Sequence, residues 1–297
     1  NQAANPVPGY GTQIPSFFTD WGLRGFDNIS PGGHSMKYWD EATQAYIGQP
    51  NTSSAIASNK GYMLFIRGDR TVIGTAAATA TTMRTRGPLK TGAVSVNYPS
   101  LAINKFVSAG NPYASAIDMR NVTRTNLSAM FYVWDPSLAS SPYGGAYGLG
   151  AFQLFTFDGT NYRVFPGSGN YGVANSIDNN IESGAAFYLK TQAAGTSSVS
   201  FSEASKTGGS RAVFRGGSFS NDARFMTMLE TFDDGGNPFI LDGVMIDFND
   251  AYSNDVNGDD APKLKNTGEN ISIAKAGGEL ILERRAMVTS SDTVFLQ

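Results

Sequence analysis

Apolar and polar residues alternate with a period of two along most of this chain. GYMLFIRG (61–68), AVSVNYP (93–99), KFVSAG (105–110), AMFYVWD (129–135), GAFQLFTFDG (150–159), NYRVFPG (161–167), AAFYLKT (185–191), SVSFSEA (198–204) and RAVFRGG (211–217) are short runs rich in aromatic and β-branched residues. Gly, Pro, Asn, Asp or Ser bounds each one. Successive side chains of a strand point to opposite faces, so the pattern predicts short strands separated by turns. Asp158-Gly159 supplies the positive φ angles of a tight hairpin turn. Helical spacing is sparse. Its best stretch, residues 75–83, is threonine-rich and suits a loop or a strand equally well. The expected fold is all-β, built of antiparallel β-sandwich or jelly-roll-like units.

Two domains are expected. The Gly/Ser-rich segment 205–222 places a boundary near residue 218, giving a β-rich domain over 1–218. Residues 219–297 then open a second domain with ARFMTMLETF, the turn Asp233-Asp234-Gly235-Gly236-Asn237 and FILDGVMIDFN. Strand, turn, strand is the usual start of an immunoglobulin-like sandwich. The run ending in Thr293-Val294-Phe295-Leu296-Gln297 is an apolar strand with no charged gatekeeper after it. An unpaired edge of that kind invites another strand, so the sandwich is expected to be incomplete and to continue beyond residue 297. A faint internal duplication is also legible. Tyr38-Trp39-Asp40, a Gly61-led strand and Lys90-Thr91-Gly92 are echoed in order by Val133-Trp134-Asp135, a Gly184-led strand and Lys206-Thr207-Gly208. Chance similarity among aromatic strands explains this equally well.

Composition narrows the chemistry. Only 16% of the 297 residues are charged, against roughly a quarter in ordinary domains. Net charge is −3, so no basic face for nucleic acid is implied. There is no cysteine, which removes thiolate chemistry, zinc-thiolate sites and disulfides. The one histidine, His34, lies in the turn-like run SPGGHSMKYWD and cannot form a multi-histidine metal site. No apolar stretch of about 20 residues predicts a membrane span.

Candidate chemistry is thin. Asp255, Asn257 and Asp259 place oxygen donors at alternate positions, as the start of a calcium loop does. The sixth and twelfth positions hold Asp260 and Asn266 instead of Gly and Glu, so any calcium site there is weak and no other cofactor is expected. A solvated loop closed by Asx turns is the alternative. Trp39, Trp134, Tyr143 and Tyr147 are candidates for stacking on sugar rings, against a role in packing. Carboxylates such as Asp40, Glu41, Asp118, Asp135 and Glu203 are scattered, and no motif picks out a catalytic pair. Arg67-Gly68-Asp69 matches the cell-adhesion tripeptide, at a strand end where Gly and Asp are expected anyway.

Several stretches together carry a resemblance. YWDEATQAYIG, NKGYMLFIRGDRTV and MRTRGPLKTG are followed by VSAGNPYASAIDMRNV, and later by DFNDAYSNDVNGDDAPKLKN and ELILERRAM with DTVFL. The set, over roughly 36–134 and 242–297, resembles large adhesin-like surface proteins of Bacteroidota exported by the type IX secretion system. The resemblance implies secretion to the cell surface or outer membrane, and the secretion machinery or another surface protein as partner. It also implies a candidate O-glycosylation at Thr293, within Asp292-Thr293-Val294. A non-catalytic surface protein is the leading expectation, and a carbohydrate-binding or glycan-active sandwich protein is the alternative.

Overall fold

A computed structural model describes residues 10–12, 36–49, 59–64, 66–69, 88–136, 138, 150–208, 223–232, 238–288 and 292–297. The expected boundary near 218, the run 211–217, the stretch 75–83, His34 and the turn 233–237 lie outside them.

The described chain is all-β. In order its strands are β1 (Tyr10–Thr12), β2 (Met36–Asp40), β3 (Ala45–Gly48), β4 (Tyr62–Leu64), β5 (Ile66–Asp69), β6 (Val94–Leu101), β7 (Phe106–Gly110), β8 (Ala116–Asp118), β9 (Thr123–Thr125), β10 (Leu127–Asp135) and β11 (Ala151–Phe157). There follow β12 (Tyr162–Phe165), β13 (Asn180–Ile181), β14 (Ala186–Thr191), β15 (Gly195–Phe201), β16 (Lys206–Thr207), β17 (Ala223–Phe232), β18 (Pro238–Phe248), β19 (Ala261–Pro262), β20 (Ile273–Lys275), β21 (Gly278–Arg285) and β22 (Phe295–Leu296). Single 3₁₀ turns at Met119–Asn121, Gly169–Tyr171 and Glu203–Ser205 are the helical pieces among the described residues.

Contacts divide the chain into two compact units, each drawn from separate stretches. One holds residues 1–127, 144–147 and 180–211, the other 128–143, 148–179 and 212–297. In the first, β14 pairs antiparallel with β7, β15 lies between β6 and β9, β8 between β13 and β16, and β2 between β3 and β4. Val107, Ala109, Phe187, Leu189, Val199 and Phe201 are almost fully buried and form its core. Phe187 and Phe201 meet edge to face with centroids 6.4 Å apart. Every residue of β7 is buried, so both faces of that strand are covered. Its sequence Phe-Val-Ser-Ala-Gly therefore mixes apolar and small residues with no polar face.

In the second unit β11 lies between β10 and β12. Phe131 stacks on Phe155 at 4.5 Å, and Tyr162 meets Phe131 edge-on at 4.8 Å. Burying each of these phenylalanine rings stabilises the fold by about 1.5–3 kcal/mol. The hairpin between β11 and β12 is longer than Asp158-Gly159 alone suggests. The Asp158 N–H donates to Asn161 O, and the Asp158 carboxylate accepts from the N–H groups of Thr160 and Asn161, at 2.9 and 2.8 Å. Gly159 has φ +96°, as a residue free of Cβ allows.

The same unit holds a sheet in the order β17-β18-β21-β20-β22, with β19 also on β21. β17 and β18 form the expected antiparallel pair, with a register shift at Leu229/Glu230. β18 and β21 run parallel within an otherwise antiparallel sheet. Parallel neighbours need a long crossover, and residues 249–277 supply one. Val244 and Ile246 of β18 close over Ile273 and Leu280, with Phe248, Ile271 and Val294 against them. The last strand, β22, ends the sheet order: it pairs with β20, and Ser272 and Gln297 exchange two backbone hydrogen bonds.

Candidate functional site

Three polar constellations stand out. The first lies in the first unit around Glu41. Trp39, Tyr46 and Tyr188 meet edge to face with centroids 5.1–6.4 Å apart. The Trp39 indole N–H donates to Phe106 O at 2.9 Å. Gln44 also donates to Phe106 O through Nε2, at 2.9 Å, and accepts the Phe106 N–H at 2.7 Å. One side-chain amide thus completes the backbone of β7 as a neighbouring strand would. The Tyr46 hydroxyl donates to that of Tyr188, and Tyr98 OH donates to Ser108 O. Glu41 holds Lys60 at 3.2 Å, and Lys60 lies over the Tyr38 ring. Burial pushes the Tyr46 hydroxyl up to about 12, against the hydrogen bond to Tyr188. Burial also raises Tyr98 and Tyr188, with Glu41 adding to the first and Tyr46 to the second. These phenols stay neutral through the physiological range and offer no base.

The second constellation lies in the second unit, behind Trp134-Asp135. Asp135 is fully buried, and its carboxylate accepts from Gln153 Nε2 at 3.2 Å and from Asn170 N and Nδ2 at 2.8 Å. Gln153 in turn donates to Gly167 O and Ser168 O and accepts the Gly167 N–H. Together they pin the 167–170 turn onto β10 and β11. A Cβ on Gly169 would come within 2.3 Å of Asp135 Oδ2, so only glycine lets the turn approach this closely.

The third is a set of buried charges in the C-terminal sheet. Asp242 and Lys263 are each 1% exposed and form an ion pair. Ile271 N–H donates to Asp242 Oδ2 at 2.7 Å. Asp247 holds Arg224, Glu283 holds Lys275, and Arg285 reaches Asp292 at 3.3 Å. Asp260 accepts the N–H groups of Asn257 and Arg284, both at 2.8 Å. Burial nonetheless raises the Asp260 carboxyl above the usual carboxylate range. Charges taken out of water this far must be paired, because isolated burial costs several kcal/mol.

The residues singled out from the sequence fall as follows. Trp39 is 6% exposed and internal to the first constellation. Trp134 is half-buried, edge-on to Phe152 at 4.9 Å and packed over Gly150, where a Cβ would come within 2.5 Å of the ring. Tyr143 and Tyr147 lie outside the described residues. In the acidic loop Asn257 Oδ1 accepts the Asp259 N–H at 2.7 Å, and the Asp255 N–H donates to Ser253 Oγ at 3.0 Å. Asp255, Asn257 and Asp259 are themselves exposed, and the buried anchor of the loop is Asp260. Among the described residues no three His, Asp or Glu side chains converge as a metal site would require. Thr293 is exposed beside β22. The scattered carboxylates each have local work. Asp40 accepts from Thr43 N and Oγ1, Asp118 pairs with Arg120 at 2.6 Å, and Glu203 accepts Gly92 N and holds Lys206. No sequence signal marks Gln44, Gln153 or Asn170, whose roles depend on distant partners.

The chain matches no family model, no curated protein and no solved structure.

Proposed function

We propose that this chain is part of a non-catalytic, adhesin-like surface protein of the type IX-exported kind, with the export machinery or another surface protein as its partner. The observation that carries the reading is how the polar groups are used. Asp40, Glu41, Asp118, Asp135, Glu203 and Asp242 are tied to backbone N–H groups or to a basic side chain. The phenols near Glu41 are neutral, and Trp39 spends its indole N–H on Phe106. Such side chains hold strands and turns together, a structural use of polar groups. The all-β build, the low charge and the stretches that resemble such surface proteins support the same reading. Fractionation tests the location. Expressed with its native flanking sequence in a Bacteroidota host, the protein should be sensitive to protease added outside intact cells. It should become protected when the type IX system is deleted. Protection in both strains overturns the proposal. Binding of the chain to a panel of polysaccharides in affinity electrophoresis, lost in Trp134→Ala, would move the reading to a carbohydrate-binding module.

A further inference from the structure

Asp242 and Lys263 differ from the other ion pairs of the described residues. Lys60, Lys265 and Lys275 keep 22–64% of their side chains exposed, whereas both partners here are 1% exposed. Lys263 Nζ donates to Asp242 Oδ1 at 2.6 Å and also to Oδ2. Nζ is thus within hydrogen-bond reach of both oxygens and adjacent to the carbon between them, so the two groups are already held together as reactants. Asp242 shares its face of β18 with Val244 and Ile246 of the apolar cluster, which keeps water away. One backbone donor, Ile271 N–H, already points at Oδ2 from 2.7 Å.

We propose that Lys263 and Asp242 condense to an intramolecular isopeptide bond. A proton first passes from Nζ to Oδ1, which frees the amine lone pair and leaves an electrophilic carboxyl group. Nζ then attacks Cγ, the C–N bond forms, and negative charge gathers on Oδ2, where the Ile271 N–H stabilises it as an oxyanion donor does. The Cγ–Oδ1 bond then breaks. Two of the three ammonium protons leave with Oδ1 as water, and the third stays on the amide nitrogen. Oδ2 becomes the amide oxygen and keeps its hydrogen bond to Ile271. Ammonium and carboxylate give amide and water, so the step balances with no oxidant, metal or co-reactant.

The energetics favour this place over any wet pair. In water the charged reactants are held back by hydration. In this interior that hydration is gone, and the neutral product removes two buried charges at once. Burial holds the Lys263 ammonium below the ordinary lysine range, in spite of Asp242, and so increases the share of nucleophilic amine. The product ties β18 to the segment before β20 across 21 residues of sequence. It acts as a disulfide would in a chain that has no cysteine.

Mass spectrometry of the full chain tests the proposal. The folded protein, denatured just before measurement, should weigh one water less than its sequence. Digestion should give one branched product joining the peptides of Asp242 and Lys263, stable to hydroxylamine. Lys263→Arg should show the full mass, and should unfold at a lower temperature than the native chain. Arginine is larger than lysine, so the paired apolar replacement Asp242→Leu with Lys263→Met is the second control, also at full mass. A native chain at full mass overturns the proposal. So does a missing water that persists in Lys263→Arg or is cleaved by hydroxylamine, because Asp242-Gly243 can lose water as a succinimide without any lysine.

Discussion

Replacing Asp135 with alanine is the sharpest test of how the second unit is held together. The carboxylate accepts from Gln153 Nε2 and from Asn170 N and Nδ2 at 2.8–3.2 Å and is fully buried. Bonds to a charged acceptor contribute about 1.5–3 kcal/mol each, so the gross loss is large. Two terms reduce it. Asn170 is exposed, and its two donors can turn to water. Removing a buried charge also recovers part of the cost of its desolvation. Gln153 Nε2 keeps Gly167 O and Ser168 O but loses its charged partner. The net expected destabilisation is about 2–3 kcal/mol. Asn170→Ala should cost much less, about 0.5–1 kcal/mol, because the remaining partners stay in place. Urea titration followed by tryptophan fluorescence gives both numbers, with Trp134 adjacent to the change. An Asp135→Ala variant within about 0.5 kcal/mol of the native chain refutes the argument, since that is the scatter of ordinary surface changes. Equal costs for the two variants would refute it as well, by placing the anchor at the turn instead of the carboxylate.

Three further outcomes are expected. Tyr46 has its hydroxyl raised from 10.0 to about 12, so its neutral form stabilises the fold fully below pH 10. That contribution, about 2–3 kcal/mol, is lost as pH rises through 12, and tyrosinate absorbance should rise together with unfolding in that window. Early tyrosinate absorbance for all tyrosines, with no loss of structure, would contradict the buried cluster. EDTA should leave the melting temperature unchanged, because the acidic loop is closed by its own Asx bonds and Asp260. A large fall on chelation would mean that an ion at Asp255, Asn257 and Asp259 stabilises the fold by linkage. The exposed pair Lys265–Glu279, 64% and 33% exposed, should give a coupling below about 1 kcal/mol in a double-mutant cycle, and a larger value would show that solvent does not screen it.

Much of this protein is written locally. The two-residue period that marks 61–68, 93–99, 105–110, 129–135 and 185–191 appears as strands β4 to β7, β10 and β14, because alternation needs only the pleat and a covered face. β17 and β18 pair antiparallel for the same reason. Tertiary structure decided what the period cannot carry. β7 is covered on both faces, and β18 pairs in parallel with β21 across the 249–277 crossover, because partners are chosen by packing over long sequence distances. Trp39-Asp40 and Trp134-Asp135 read alike, yet Asp40 caps an exposed turn through Thr43 while Asp135 is buried against Gln153 and Asn170. Lys263 and Lys265 stand two residues apart in the sequence. Folding leaves Lys265 64% exposed and takes Lys263 to 1% beside Asp242, 21 residues away. Burial is a property of what lies opposite a side chain, and no local pattern of residues contains that.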